Sequence, residues 1–115
     1  MTRQRQVLGA SGEEKVAAWY RERGYEVLSR NWRRREGELD LVLGTEGLVV
    51  FCEVKTRSSD AFGAPAEAVT PVKQARLRRL AAQWLGEQGK AHRGQLRFDV
   101  ASVLGGRVEV LEGAF

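Results

Sequence analysis

One run, Leu48-Val49-Val50-Phe51-Cys52-Glu53-Val54-Lys55, constrains most tightly what this chain can become. Its first five residues are apolar and mostly β-branched or aromatic, so the run reads as a central strand buried on both faces. Glu53 and Lys55 then close it with opposite charges. Residues two apart along a strand project from the same face. Both charges therefore stand on one side of a strand that is otherwise core, where ionised groups are costly unless paired or bound to a metal.

The segment before it, Glu38-Leu39-Asp40-Leu41-Val42-Leu43, reads as a second strand, and Gly44-Thr45-Glu46-Gly47 turns the chain into a hairpin. The hairpin brings Asp40 close to Glu53 and Lys55, and Glu38 shares the face of Asp40. Upstream, Ser11 or Gly12 caps a helix running to about Arg23, with Glu13, Val16, Ala17 and Tyr20 on one face and Gly24 as its stop. Tyr25–Leu28 reads as a short strand, followed by the cationic run from Arg30 to Arg35.

Downstream, Thr56–Ala64 is a polar loop, and Thr70-Pro71 caps a second helix that ends near Leu85, before Gly86 and Gly89. Leu77, Leu80, Ala81 and Trp84 form its apolar stripe, and Lys73, Arg76 and Arg79 line another face. Leu96–Val100 alternates as a strand, and a Gly105-Gly106 turn leads to a last strand over Arg107–Leu111. The order α, β, β, β, α, β, β predicts an α/β or α+β protein with a sheet of about five strands.

A chain of 115 residues, 43% hydrophobic and 30% charged, suits one domain with a true core. Residues 1–6 read as a mobile tail. No apolar stretch reaches the roughly 18 residues a membrane helix needs, and the basic N-terminus lacks the apolar region of a secretory signal, so the expected address is the cytoplasm. A lone Cys52 and a lone His92 exclude an internal disulfide, a zinc cluster and the usual histidine-based nucleophile systems. Chemistry has to come from carboxylates, lysine and arginine.

With 19 Lys and Arg against 15 acids, a net charge of +4 and a pI near 9.7, the chain suits a polyanion such as nucleic acid. Arginine dominates the cations, which fits bidentate phosphate recognition and equally a GC-rich genome. Glu13, Asp40, Glu53 and Lys55 form the candidate catalytic group. Carboxylates that converge beside a lysine hold Mg²⁺ or Mn²⁺, and the ion acidifies water for phosphodiester hydrolysis. On spacing alone, a cross-strand ion pair between Glu53 and Lys55 with Asp40 at the turn reads equally well. Asp99 reads as a structural partner of Arg97 and Cys52 as a small buried hydrophobe; Trp32, among arginines, is the tryptophan placed to stack on a base.

These residues carry a resemblance. Asp40 followed by Glu53-Val54-Lys55 is similar to the D-(x)n-(D/E)-x-K signature of the restriction-endonuclease-like PD-(D/E)xK superfamily. Gly12-Glu13, Gly24-Tyr25, Asn31, Gly37-Glu38-Leu39-Asp40-Leu41-Val42, Val50–Arg57, Phe62-Gly63, Lys73-Gln74, Arg97–Val100 and Ala114-Phe115 together resemble the YraN family of small bacterial proteins along nearly the whole chain. The proline that often precedes the superfamily aspartate is absent, as in that family.

The resemblance implies a restriction-endonuclease-like α/β fold with a mixed central sheet flanked by helices. It also implies likeness to archaeal Holliday junction resolvases: Glu13, Asp40 and Glu53 as metal ligands with the Val54 carbonyl, Lys55 assisting the nucleophile, and a homodimer. Arg33, Arg34, Arg35, Arg57, Lys73, Arg76 and Arg79 are then expected on the phosphate backbone of DNA, where contacts position a duplex without reading its sequence; a solvated helix face is the plainer account of the last three. The expected activity is Mg²⁺- or Mn²⁺-dependent cleavage of structured, branched DNA. The alternatives are a nucleic-acid-binding module of the same fold that does not cut, and a protein-interaction subunit with a merely structural carboxylate cluster.

Overall fold

The computed structural model describes residues 3–57, 69–88 and 94–115, with side chains from residue 12 onward. Helix α1 (Arg3–Glu22) leads into strands β1 (Glu26–Arg34), β2 (Gly37–Thr45) and β3 (Leu48–Arg57); helix α2 (Pro71–Glu87) and strands β4 (Gln95–Leu104) and β5 (Arg107–Leu111) follow. The strands form one mixed sheet in sequence order, and the apolar run occupies its middle as β3. β3 pairs with β2 antiparallel and with β4 parallel. A parallel neighbour requires a crossover, and α2 provides it. The result is the α/β architecture expected from the sequence.

The two faces of the sheet build separate cores. On one, Leu77, Leu80, Ala81 and Trp84 of α2 pack with Val49, Phe51, Phe98 and Val100. On the other, Val16, Ala17 and Tyr20 of α1 pack with Leu41, Leu43, Val50, Cys52, Ala101 and Val103. Each fully buried side chain of this size stabilises the fold by about 1.5–3 kcal/mol. Trp84 meets Phe51 edge to face at 5.9 Å between ring centres, and its indole N–H donates to Ser29 Oγ at 2.9 Å. Asp99 is fully buried in the α1 layer and accepts from Tyr20 Oη at 2.6 Å, from Arg97 Nε and Nη2 at 2.8 and 2.9 Å, and from the Gly113 N–H at 3.0 Å. Its role is the structural one expected with Arg97.

Several boundaries differ from the sequence reading. α1 begins at Arg3 rather than at Ser11 or Gly12. The stretch 3–11 contains no proline and is rich in Arg, Gln, Leu and Ala, all good helix formers, so glycines are tolerated inside it. Of the tail expected over 1–6, residues 3–6 are therefore helical, and residues 1–2 lie outside the described residues. β1 does not stop at Leu28 but continues through the arginines to Arg34. It is an edge strand, with Arg30, Arg33 and Arg34 exposed while Trp32 packs on the α2 core; charged edges also discourage pairing with foreign strands.

β4 runs past Val100 to Leu104, because Ala101–Leu104 pair with both β3 and β5. Thr56 and Arg57, read as the start of a polar loop, belong to β3; the rest of that loop, with Phe62-Gly63, and also Gly89 and His92, lies outside the described residues.

Candidate functional site

Asp40 lies where the sheet comes apart. The β2–β3 ladder ends at the Leu41–Cys52 pair, and beyond it the Asp40 carboxylate takes the Val54 N–H at 2.8 Å through Oδ2. The strand alternation also breaks here. Leu39 is buried in the α2 core and Leu41, two residues on, in the α1 core, whereas an even strand would put both on one face. The chain therefore rotates at Asp40, where its carboxylate takes the place of a ladder carbonyl.

Glu53 faces α2, following Val49 and Phe51 by the two-residue rule, and comes within hydrogen-bond reach of Asp40. Leu39, Phe51, Leu77 and Phe98 wall the small pocket around the two carboxylates. Burial and the adjacent Glu53 carboxylate push Asp40 up to about 8, against the pull of the Val54 N–H. Burial also presses on Glu53, but the Asp40 hydrogen bond and the charges of Lys73 and Lys55 hold it below the usual carboxylate range. Two half-buried carboxyl groups in contact cannot both ionise cheaply, and of the pair it is Asp40 whose proton is held more tightly.

Lys73 sits 3.2 Å from Glu53 Oε2, and it is a site residue that the sequence reading assigned to the phosphate track instead. Thr70 caps α2 by accepting from the Lys73 N–H at 3.2 Å, and Pro71 opens the helix. Lys73 thus stands one turn before Leu77, directly over the face that carries Phe51 and Glu53 once the crossover is made. That spacing puts it on the inward face of α2, but only the crossover sets it over Glu53. Lys55 completes the group. Burial lowers its amine, and the hydrogen bond from the Lys73 ammonium lowers it further, against the charge of Glu53. Burial works against Lys73 as well, but its bonds to Lys55 and Glu53 raise it.

Glu13 reaches this region from the other layer. Burial raises its carboxyl, a hydrogen bond with Asn31 opposes that, and the charges of Glu38 and Glu53 raise it again. The structure therefore assembles Asp40, Glu53, Lys55 and Lys73 in contact, with Glu13 within the field of Glu53. Val54 enters through its main chain. Among the described residues no three acidic, histidine or cysteine side chains stand close enough together to hold a metal ion as a group, so Glu13 does not join Asp40 and Glu53 in one. Mg²⁺ does not need one, since it is held by one or two carboxylates and keeps several waters. The half-buried, contacting carboxylates of Asp40 and Glu53 are a donor set that such an ion fits.

The other cations spread away from this centre. Arg33 pairs with Glu38 at 3.3 Å. Arg34 grips Glu87 with two nitrogens and lies 4.1 Å over the Trp32 ring, covering the face expected to stack on a base. Arg35 and Arg76 are exposed, and Arg79 stands 4.0 Å from Glu36 in the β1–β2 turn, so that turn and α2 form one basic margin. Arg57, half-buried, ends β3.

The model of the uncharacterised protein family UPF0102 matches residues 12–103. The chain belongs to the UPF0102 family, also called YraN. It is 52% identical over 116 residues to a UPF0102 protein of Beutenbergia cavernae, with 96% of this chain and 98% of the relative covered. A UPF0102 protein of Nocardia farcinica is 53% identical over 100 residues, covering 87% and 78% of the two chains. One from Frankia alni is 52% identical over 118 residues, covering 98% of each. The matched UPF0102 region contains Glu13, Asp40, Glu53, Lys55 and Lys73, so the whole candidate site lies within the family's own segment. No helix among the described residues of this UPF0102 chain is long and apolar enough to cross a membrane.

Proposed function

We propose that the protein is a Mg²⁺- or Mn²⁺-dependent endonuclease acting on structured, branched DNA. The observation that carries this reading is the half-buried Asp40–Glu53 carboxylate pair in contact beside Lys73 and Lys55. Asp40 and Glu53 would hold the ion, with Glu13 and the Val54 carbonyl completing its protein ligands. The bound ion would supply an acidified water and offset the charge on the scissile phosphate. Lys55, two residues from Glu53 on the same face, would orient the attacking water and take up its proton. Lys73, released from Glu53 as the ion arrives, would turn its ammonium to the phosphate oxygens. The basic margin of Arg33, Arg35, Arg76 and Arg79, with Arg57, would hold the backbone on either side of the cut. A homodimer would match the two symmetric cuts of a four-way junction.

One observation favours the rival reading, a DNA-binding module that does not cut: the Lys73 ammonium already neutralises Glu53. Mn²⁺ titration by calorimetry and cleavage of four-way junctions separate the two. Saturable Mn²⁺ uptake and cutting, both lost in Asp40→Asn, with cutting alone lost in Lys55→Ala, support the nuclease. Junction binding that is salt-sensitive, indifferent to metal and never followed by cutting supports the module. Cleavage that persists in Asp40→Asn would refute the assignment of this site.

A further inference from the structure

The arginines around the β1–β2 turn are not equivalent. Arg34 grips Glu87 with two nitrogens, Arg33 lies 3.3 Å from Glu38, and Arg79 lies 4.0 Å from Glu36. Each of these charges is already met by a carboxylate, and the Arg34 and Arg79 pairs tie β1 and the turn down onto α2. Arg35 and Arg76 are exposed and pair with no carboxylate among the described residues. The position of Arg76 is also defined. Gly37 carries no side chain, and the stem of Arg76 lies over it: a Cβ there would stand 3.4 Å from Arg76 Cδ and 3.3 Å from Leu80 Cδ1. Leu39, two residues on from Gly37, and Leu77, next to Arg76, both wall the carboxylate pocket. Arg76 follows Lys73 by one helical turn, about 4.5 Å along the axis, and Lys73 meets Glu53 at 3.2 Å. Turn and helix thus set one unpaired guanidinium beside the pocket wall and a second, that of Arg35, in the adjoining turn.

We propose that Arg35 and Arg76 make the direct phosphate contacts of this turn-and-helix margin, taking the backbone of a DNA strand as it leaves the carboxylate pocket, while Arg34 and Arg79 hold the turn against α2 and Arg33 stays on Glu38. The distinction is electrostatic. A paired arginine that turns to a phosphate exchanges one anion for another and leaves a glutamate uncovered beside the incoming strand, where like charges repel. An unpaired one displaces only water and the counterions of the phosphate. The guanidinium fork also matches phosphate oxygens bidentately, and contacts of this kind fix position without reading sequence. The inference rests on the reading that this margin meets DNA, and narrows it to two arginines; it does not require that the DNA be cut.

The test is binding of a four-way junction in chelator, followed by fluorescence anisotropy from about 50 to 200 mM salt. It uses the full chain as wild type, Arg35→Gln, Arg76→Gln, the double variant and Arg78→Gln. Glutamine at 76 keeps the Cδ that lies over Gly37 and removes only the charge, so circular dichroism should match the wild type. Arg78 controls for net charge: it too is exposed on α2, but its guanidinium lies 4.9 Å over the Phe98 ring and 5.5 Å over the Phe115 ring. The slope of log K against log salt should fall by about 0.9 in each single variant at 35 or 76 and by about 1.8 in the double, and should keep its wild-type value in Arg78→Gln. An equal fall in Arg78→Gln, or a wild-type slope in Arg35→Gln or Arg76→Gln, overturns the proposal, as does a wild type that binds no junction. Mn²⁺ uptake and cutting judge the nuclease reading separately. Their absence with the slopes as expected leaves the two contacts on a module that does not cut, whereas cutting with unmoved slopes removes the contacts and leaves the nuclease.

Discussion

Replacing Asp40 by Asn should remove a pH dependence that the metal-free fold carries. Asp40 sits at about 8 in the folded protein because of burial and the adjacent Glu53, whereas an unfolded aspartate titrates near about 3.9. The folded state therefore keeps a proton that the unfolded state releases. With its folded value raised, the group contributes stability that is full below about pH 4 and is lost as pH rises toward 8. Glu53 acts in the opposite sense, but its lowered value confines its effect to pH below the ordinary glutamate range. Between pH 5 and 8 the Asp40 effect dominates, with a slope approaching about 1.4 kcal/mol per pH unit and a ceiling of about 3.5 kcal/mol. For a domain of this size that is about 1–2 M in urea midpoint.

The assay is urea unfolding in chelator at unit pH steps from 5 to 8, on the wild type and on Asp40→Asn. Other titrating groups are common to both, so the difference isolates Asp40. Asparagine has no proton to give up, keeps an oxygen for the Val54 N–H and donates to Glu53. The variant should match the wild type at pH 5 to within about 1 kcal/mol and exceed it at pH 8 by about 2–3 kcal/mol. Parallel curves would refute the argument, because they would mean that burial and Glu53 do not raise Asp40 in the folded protein.

Asp99→Asn should cost about 3–5 kcal/mol by leaving the Arg97 guanidinium without its buried partner, measured by urea unfolding, with Mn²⁺ uptake unchanged because Asp99 lies in the other layer. Gly12→Ala should lower thermal stability although Gly→Ala within a helix ordinarily gains about 1 kcal/mol. The new Cβ would overlap Thr56 Oγ1, and overpacking of that kind costs about 1–3 kcal/mol; a raised melting temperature would show that α1 can shift freely against β3. Lys73→Met should tighten Mn²⁺ binding about fivefold by removing the ammonium that competes for Glu53, the equivalent of roughly 1 kcal/mol, as read by calorimetry; weaker binding would show that Lys73 supports the ion rather than standing in for it.

What the sequence disclosed depended on how local its cause is. The run from Leu48 to Phe51, the Thr70-Pro71 cap and the apolar stripe of α2 set their elements through nearest neighbours, and those elements stand where periodicity put them. The continuation of β1 through Arg30–Arg34 was hidden because an edge strand needs only one inward anchor, Trp32, and its charges resemble those of a loop. Asp40, Glu53 and Lys55 were legible as charges that a strand does not carry without reason. Lys73 was not, since its membership depends on where a crossover helix sets down across the sheet, which no spacing within α2 states. Asn31 was noticed only as part of a family pattern. Its left-handed backbone leaves no mark in the sequence, because asparagine's tolerance of that angle is too common in turns to single it out.

The interruption at Asp40 also explains why the choice of substitution matters at this position. Where β2 leaves β3, the Val54 N–H loses a carbonyl partner and gains the Asp40 carboxylate instead. Asp40 is therefore both a structural acceptor and a member of the charged pair. Asp40→Ala would remove both functions together, leaving the Val54 N–H unsatisfied at a cost of about 1–3 kcal/mol and Glu53 with only the lysines. Lost activity in that variant would not distinguish a missing ligand from a closed or shifted ladder. Asp40→Asn keeps the acceptor and removes only the charge. A site built on a broken ladder therefore needs substitutions that leave the break intact.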